Sequence, residues 1–175
     1  MSNLFEKYKR FGIFGPSESG KTTLAKKVSI HFWNTEKRRS LVLDPVSKSN
    51  WGPHATVFVN EPEFWKIIFK EKNAVVIVDD ASVTINRDNE LNGVFTTLRH
   101  QGHKLVVIGH SGRNLLPQMR DQLQRVFLFK QTPKSVEQWE ENFPGIDLTP
   151  ATTLPQYSFI TFANYEQPQV FALTK

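Results

Sequence analysis

Nine consecutive residues, Gly15, Pro16, Ser17, Glu18, Ser19, Gly20, Lys21, Thr22 and Thr23, satisfy the spacing G-x-x-x-x-G-K-[ST] and continue with a second threonine. Each fixed type in that spacing has a task. The two glycines let the backbone wrap so that successive N–H groups turn inward on one anion. A helix opening near Gly20 adds the positive end of its dipole at the same point. An ammonium at Lys21 reaches the outer phosphates of a nucleoside triphosphate, and a hydroxyl at Thr22 ligates Mg²⁺. A chance match in a chain of this length is on the order of one per cent. The context the motif needs is also present, with an apolar run (RFGIF) before it and an amphipathic segment after it.

A metal-bound triphosphate needs a second oxygen donor, and AVVIVDD supplies one in Asp79 and Asp80. Asp79, directly after the apolar run, is placed to hold Mg²⁺ through its water shell. Asp80 is then free to orient or deprotonate an attacking water. Two aspartates after a strand are equally a turn opener or a helix cap, and only the neighbouring phosphate loop favours the metal reading.

Positioning these groups requires a sheet. Short apolar runs alternate with helical periods, which predicts an α/β fold with a mostly parallel sheet flanked by helices. Strands are expected at residues 10–14, 40–43, 56–59, 74–78, 104–108 and 125–129. A helix after the phosphate loop carries Leu24, Ala25, Val28 and Phe32 on one face. Asn60 caps the next helix with Glu63 three residues on, and Phe64, Ile67 and Ile68 form its buried side. Leu91, Val94, Phe95 and Leu98 give a third helix an apolar stripe that Gly102 ends. A short helix is expected over 115–123, another over 135–142, and a C-terminal β-hairpin from 157–162 and 169–173, turning around 164–168, at the sheet edge or in an oligomer contact. The chain divides into a core, 1–130, and a helix-and-hairpin extension of the same domain, 131–175.

The bulk properties bound the rest. The 175 residues suit one domain, and 39% hydrophobic with 22% charged residues is an ordinary globular composition. With no cysteine, thiolate metal sites, disulfides and cysteine nucleophiles are excluded. No apolar stretch approaches a membrane span and the first twenty residues lack a secretory signal, so a cytosolic location is expected. The formal charge of +5 leans toward an acidic partner.

A carboxylate directly after the Mg²⁺-binding aspartate is the habit of motor and helicase-like ATPases, in which another strand lies between the phosphate-loop strand and the aspartate strand. Here that strand is KLVVI, whose end carries His110 and Ser111. The stretch LRHQGHKLVVIGHS resembles the FtsK–HerA superfamily of DNA-pumping ATPases. Arg99-His100, GPSESGKT and MRDQLQRVFLF resemble its viral genome-packaging branch. The resemblance spans residues 10–130 and implies a RecA-like (ASCE) P-loop fold. It implies ATP as nucleotide and a homo-oligomeric ring, hexameric as in the related motors. Double-stranded DNA gripped without sequence preference and a capsid or portal-vertex partner follow from it. Arg99 falls on the family's arginine finger, which acts on the neighbouring subunit's nucleotide, and His110 on its polar sensor, usually Gln. Asp80 sits where many members have Glu and is one methylene shorter.

Competing readings stand beside these. Arg99, His100 and His103 near a helix C-terminus also suit the helix dipole. Arg87, Arg113, Arg120 and Arg125 are rival fingers. The clusters Lys7, Lys9, Arg10; Lys26, Lys27; Lys37, Arg38, Arg39; and Lys130, Lys134 would track phosphates in a pore or be ordinary surface. Trp51 and Trp65 are core or interface aromatics more readily than base-stacking platforms. A nucleotide or small-molecule kinase and an ATP-driven phage assembly or extrusion protein are the alternative functions.

Overall fold

The computed structural model describes residues 3–46, 49–79, 97–112, 115 and 117–173. In chain order the elements are α1 (Asn3–Glu6), β1 (Arg10–Phe14), α2 (Lys21–Glu36), β2 (Ser40–Leu43), β3 (Ala55–Phe58), α3 (Glu61–Ile68), β4 (Val75–Val78), β5 (Lys104–Gly109), α4 (Pro117–Arg120), β6 (Arg125–Leu128), α5 (Pro133–Asn142), a 3₁₀ turn (Thr149–Thr152), β7 (Ser158–Ala163) and β8 (Glu166–Ala172). The strands form one eight-stranded sheet in the order β3-β2-β4-β5-β1-β6-β7-β8. The six from β3 to β6 are parallel, and β7 and β8 are antiparallel additions.

The parallel strands read as continuous apolar runs because both of their faces are covered. Alternate residues serve opposite cores. Phe11, Ile13, Val42, Val75, Ile77, Val106 and Ile108 pack with Leu24, Val28 and Phe32 of α2. Phe14, Leu43, Val76, Val78, Leu105 and Val107 pack with Phe64 and Ile68 of α3 and Trp139 of α5. Trp51 belongs to the α2-side core and Trp65 packs partly buried on the other, so neither is a free platform. Among the described residues no helix is long and apolar enough to cross a membrane.

Local signals account for the helix ends. Asn60 accepts a hydrogen bond from the Glu63 N–H at 3.0 Å and caps α3. Residues 97–100 are helical and end at Gly102, φ +75°. The His103 N–H bonds Leu98 O and the Gly102 N–H bonds Arg99 O, the paired pattern of a Schellman stop. The predicted stripe of Leu91, Val94 and Phe95 lies outside the described residues. His103 itself does not act as a terminal cation. Its Nδ1 accepts the Ala74 N–H at 3.0 Å, which puts the ring proton on Nε2, 3.3 Å from Ile68 O. Burial pushes its pKa below the ordinary value, so the neutral ring straps α3 to the sheet.

Several expected boundaries shift, among them those of β3, α4, α5, β7 and β8. The third strand begins one residue earlier, at Ala55. The last strand begins at Glu166 rather than 169, with the turn at Asn164-Tyr165, so Pro168 lies within β8. A proline that cannot donate to a ladder is tolerated there because β8 is the edge strand.

Glu166, the first residue of β8, accepts hydrogen bonds from Tyr8 and Arg125 and pairs with Lys7 at 3.4 Å. Partial burial pushes its pKa up, but the Tyr8 hydroxyl and the Arg125 and Lys7 charges outweigh this and hold it below the ordinary carboxylate value. Its stabilisation is therefore fully present above the unfolded carboxylate pKa and is lost as pH falls through the lower folded value. Glu166→Gln is expected to cost about 1–2 kcal/mol at neutral pH. That is the low side for a buried charge left unpaired, because Glu166 keeps 35% of its side chain exposed. Thermal melts should show the gap to wild type closing as pH falls below the ordinary carboxylate range; a gap independent of pH would contradict this account.

Candidate nucleotide site

The phosphate-loop strand β1 lies between β5 and β6, and β5 lies between β1 and the aspartate strand β4. The register pairs Phe14 with Gly109 and Val78 with Val107, so the C-terminal ends of all three strands reach one edge of the sheet. Residues following each strand then meet there. Asp79 is held by its N–H to Leu43 O at 2.9 Å, and Gly15 by its N–H to Gly109 O at 3.2 Å.

The loop between β1 and α2 shows why its two glycines are glycines, and the reasons differ. A Cβ on Gly15 would stand 2.6 Å from Phe129 Cβ; the requirement is close approach to the end of β6. Gly20 has φ +109°, a left-handed conformation that glycine alone adopts freely. Glu18, exposed at the loop tip, is also left-handed, at φ +60°. Lys21 opens α2 and folds back, its Nζ donating to Pro16 O at 2.6 Å. Its ammonium is thereby held over the loop.

Thr22 Oγ1 donates to Asp79 Oδ2 at 3.5 Å. A cavity of about 280 Å³ is lined by Lys21, Thr22, Asp79 and His110, together with Ser17 and Asp44. A hydroxyl and a carboxylate side by side, next to an anion cradle, match the hard-oxygen preference of Mg²⁺. That ion keeps several waters and takes one or two protein ligands plus substrate phosphates. Asp44 was not singled out in the sequence, although Asp44-Pro45 ends an apolar strand as Asp79 does. It is 5% exposed and accepts the Val46 N–H and Trp51 Nε1–H.

The predicted site residues are not all brought together. Gly15 to Thr23, Asp79 and His110 gather at this edge, while Asp80, Arg87 and Arg113 lie outside the described residues. Arg99 lies at the other edge. It lines a separate pocket of about 270 Å³ with Lys7, Lys9, Arg10 and His103, where Arg10 pairs in register with Leu105. The five residues of β1 separate the two edges by roughly 16 Å, beyond the reach of an arginine side chain. No carboxylate is among the described residues lining that pocket. Burial, and then the charge of Arg99, push the Arg10 pKa below its ordinary value.

The two remaining rivals are structural. Arg120 is buried and donates to Gly112 O, Leu115 O and Asn142 Oδ1. Arg125 is buried and donates to Thr161 and Glu166. Arg38 is likewise occupied, with Glu36 and Gly102 O.

No family model matches the chain, and no curated protein matches it in sequence. Among solved structures it is similar to the genome packaging NTPase B204 from Sulfolobus turreted icosahedral virus 2 in complex with sulfate. The identity is 17% and the TM-score 0.76, over 97% of this chain and 99% of that one. B204, the DNA-packaging ATPase from Sulfolobus turreted icosahedral virus, matches at 18% identity and TM-score 0.71, over 97% and 100% of the two chains. The cytoplasmic domain of the Type VII secretion ATPase EccC from Thermomonospora curvata matches at 12% and 0.68, over 98% of this chain and 24% of that one. At such identities the shared property is the fold, and the chain has the α/β fold of these P-loop ATPases.

The steric account of Gly15 is testable. Gly15→Ala forces a Cβ into Phe129 and is expected to destabilise by about 1–3 kcal/mol, measured by urea denaturation, whereas Ser17→Ala at the exposed loop tip leaves the midpoint unchanged. Equal midpoints for both variants would contradict the contact.

Proposed function

We propose that this chain is an ATPase that binds ATP with Mg²⁺, hydrolyses it, and works as a ring that drives double-stranded DNA into a viral capsid. The observation that carries this reading is the convergence of Lys21, Thr22, Asp79 and His110 on one cavity, with β5 inserted between the phosphate-loop and aspartate strands. That insertion, together with the likeness to packaging and secretion ATPases, favours a motor over a kinase.

In this reading the loop 15–20 and Lys21 bind and orient the β- and γ-phosphates. Thr22 and Asp79 hold the magnesium, which when bound neutralises charge on the phosphate oxygens. Asp80 orients the attacking water or takes its proton, and His110, at the end of β5, senses the γ-phosphate. Catalysis of this kind is positioning and electrostatics.

Arg99 belongs to the opposite edge and serves the neighbour. A head-to-tail contact between the two edges of successive subunits is heterologous, and such contacts form a ring when the rotation between subunits closes. The pocket of Lys7, Lys9, Arg10 and Arg99, without a carboxylate among its described lining residues, supports that contact because it suits a polyphosphate. DNA threaded through the ring is gripped by phosphate contacts, which makes binding salt-dependent and sequence-independent. The capsid or portal vertex is the docking partner.

Two experiments test this. Asp79→Asn, assayed with a fluorescent ATP analogue against Mg²⁺ and against chelator, is expected to weaken Mg²⁺-dependent binding by about 10–100-fold; unchanged magnesium dependence would remove Asp79 from the metal site. The second is ATP hydrolysis against protein concentration, with and without duplex DNA. Arg99→Ala and Lys21→Ala should each lose about three orders of magnitude, and mixing them should restore part of the turnover. Turnover proportional to protein and indifferent to Arg99 would sink the shared site, and phosphoryl transfer to an added acceptor would replace the motor by a kinase.

A further inference from the structure

A second cavity, of about 360 Å³, opens on the other side of the phosphate loop. Its walls are Pro16 to Ser19 on one side and Leu154 to Tyr157 on the other, with Lys130 at its margin. Ser17 and Glu18 line both this cavity and the one that holds Thr22 and Asp79. The sheet order gives the relation between the two. β4, which carries Asp79, lies on one side of β1, and β6 and β7 lie on the other. A triphosphate whose metal-bound end sits by Thr22 and Asp79 must extend the rest of the nucleotide away from them, across the loop toward β6 and β7.

The segment that meets it there is unusual. Pro155 to Ser158 is a β-turn closed by the Ser158 N–H to Pro155 O at 3.1 Å, and Tyr157, its third residue, has φ +61°. A positive φ at that position is ordinarily taken by glycine or asparagine, and a bulky residue there is a conformational outlier held by its surroundings. The holding is visible: Tyr157 O accepts the Leu173 N–H at 2.8 Å at the end of β8. Its ring lies against Gly20, with Cδ1 3.3 Å from where a Cβ on that glycine would stand. Yet the side chain is not sequestered, since Tyr157 is 44% exposed. An aromatic ring kept partly open at a strained position, beside Leu154 and Pro155, offers a stacking surface. Ser19, 7% exposed, contributes a hydroxyl that has no hydrogen-bond partner among the described residues.

We propose that the segment Leu154 to Tyr157, supplied by the C-terminal extension, is the nucleobase subsite of the triphosphate site, with Tyr157 as its stacking residue. This rests on the nucleotide-binding reading above. The phosphate loop and α2 hold the triphosphate, and the extension reads the base, which gives residues 131–175 a direct part in ligand binding.

The test compares Mg²⁺–ATP with Mg²⁺–tripolyphosphate, which carries the phosphates and no base, by calorimetric titration of the full chain. Tyr157→Asn removes the ring with a residue that tolerates the left-handed backbone, and Tyr157→Phe keeps the ring. Loss of a stacking aromatic is expected to weaken ATP about tenfold in Tyr157→Asn. Tripolyphosphate binding should stay unchanged in both variants, and Tyr157→Phe should bind ATP as wild type does. If Tyr157→Asn weakens both ligands equally, the residue only supports the loop and the proposal is overturned; undiminished ATP affinity overturns it as well. Wild-type protein that binds tripolyphosphate as tightly as ATP has no base subsite. Wild-type protein that binds neither ligand would instead refute the nucleotide reading itself.

Discussion

The main-chain ladder between β1, β5 and β4 is the constraint on which the site depends. Parallel strands bond in evenly spaced, slanted pairs, so a shift of one residue would turn every side chain to the opposite face of the sheet. Both faces of these strands are buried, one against α2 and the other against α3 and α5, and the apolar contacts on each face hold the register. With Phe14 opposite Gly109 and Val78 opposite Val107, three loops distant in sequence open at one edge. Thr22, Asp79 and His110 then line a single cavity.

Buried polar groups tie the outer elements to that frame. Lys104, at the start of β5, pairs with Glu36 at 2.8 Å and lies over the Phe32 ring, anchoring the end of α2 to the sheet. His103 joins α3 to β4 through its neutral ring. Arg125 and Glu166 join β6 to β8 and, through Tyr8, to the N-terminal helix. The charges of Lys104 and Arg125 are spent on structure, because an ionised group out of water requires a partner. Arg10 donates to Gln122 Oε1 at 3.1 Å, and among the described residues neither it nor Arg99 makes an ion pair. They share a cavity with Lys7 and Lys9 that has no carboxylate among its described lining residues, a distribution of charge that structural economy does not explain.

The extension beyond β6 changes the direction of the sheet. β7 returns antiparallel to β6, and β8 forms an edge in which Pro168 and exposed polar residues discourage pairing with further strands. Its packing brings Leu173 and Tyr157 onto Gly20. A hairpin that from its pattern could equally have been an oligomer contact is thus part of the wall around the phosphate loop.

Much of this was legible in the chain itself. The phosphate loop is a local motif, and its chemistry depends on nine adjacent residues. Strand positions follow from β-branched and aromatic runs, and RFGIF, SLVL and VVIV match their strands closely because such runs are buried on both faces. The caps at Asn60 and Gly102 depend on neighbours within a few residues. What the tertiary structure alone decided concerns residues remote in sequence. Arg120 and Arg125 resemble Arg99 in type and setting, and only burial among Gly112, Asn142, Thr161 and Glu166 separates structural cations from an available one. Gly15 and Phe129 are more than a hundred residues apart, and their contact exists because β6 lies beside β1. The same holds for Tyr157 at the phosphate loop: side-chain type is written locally, but which side chains meet is set by non-local strand order and packing.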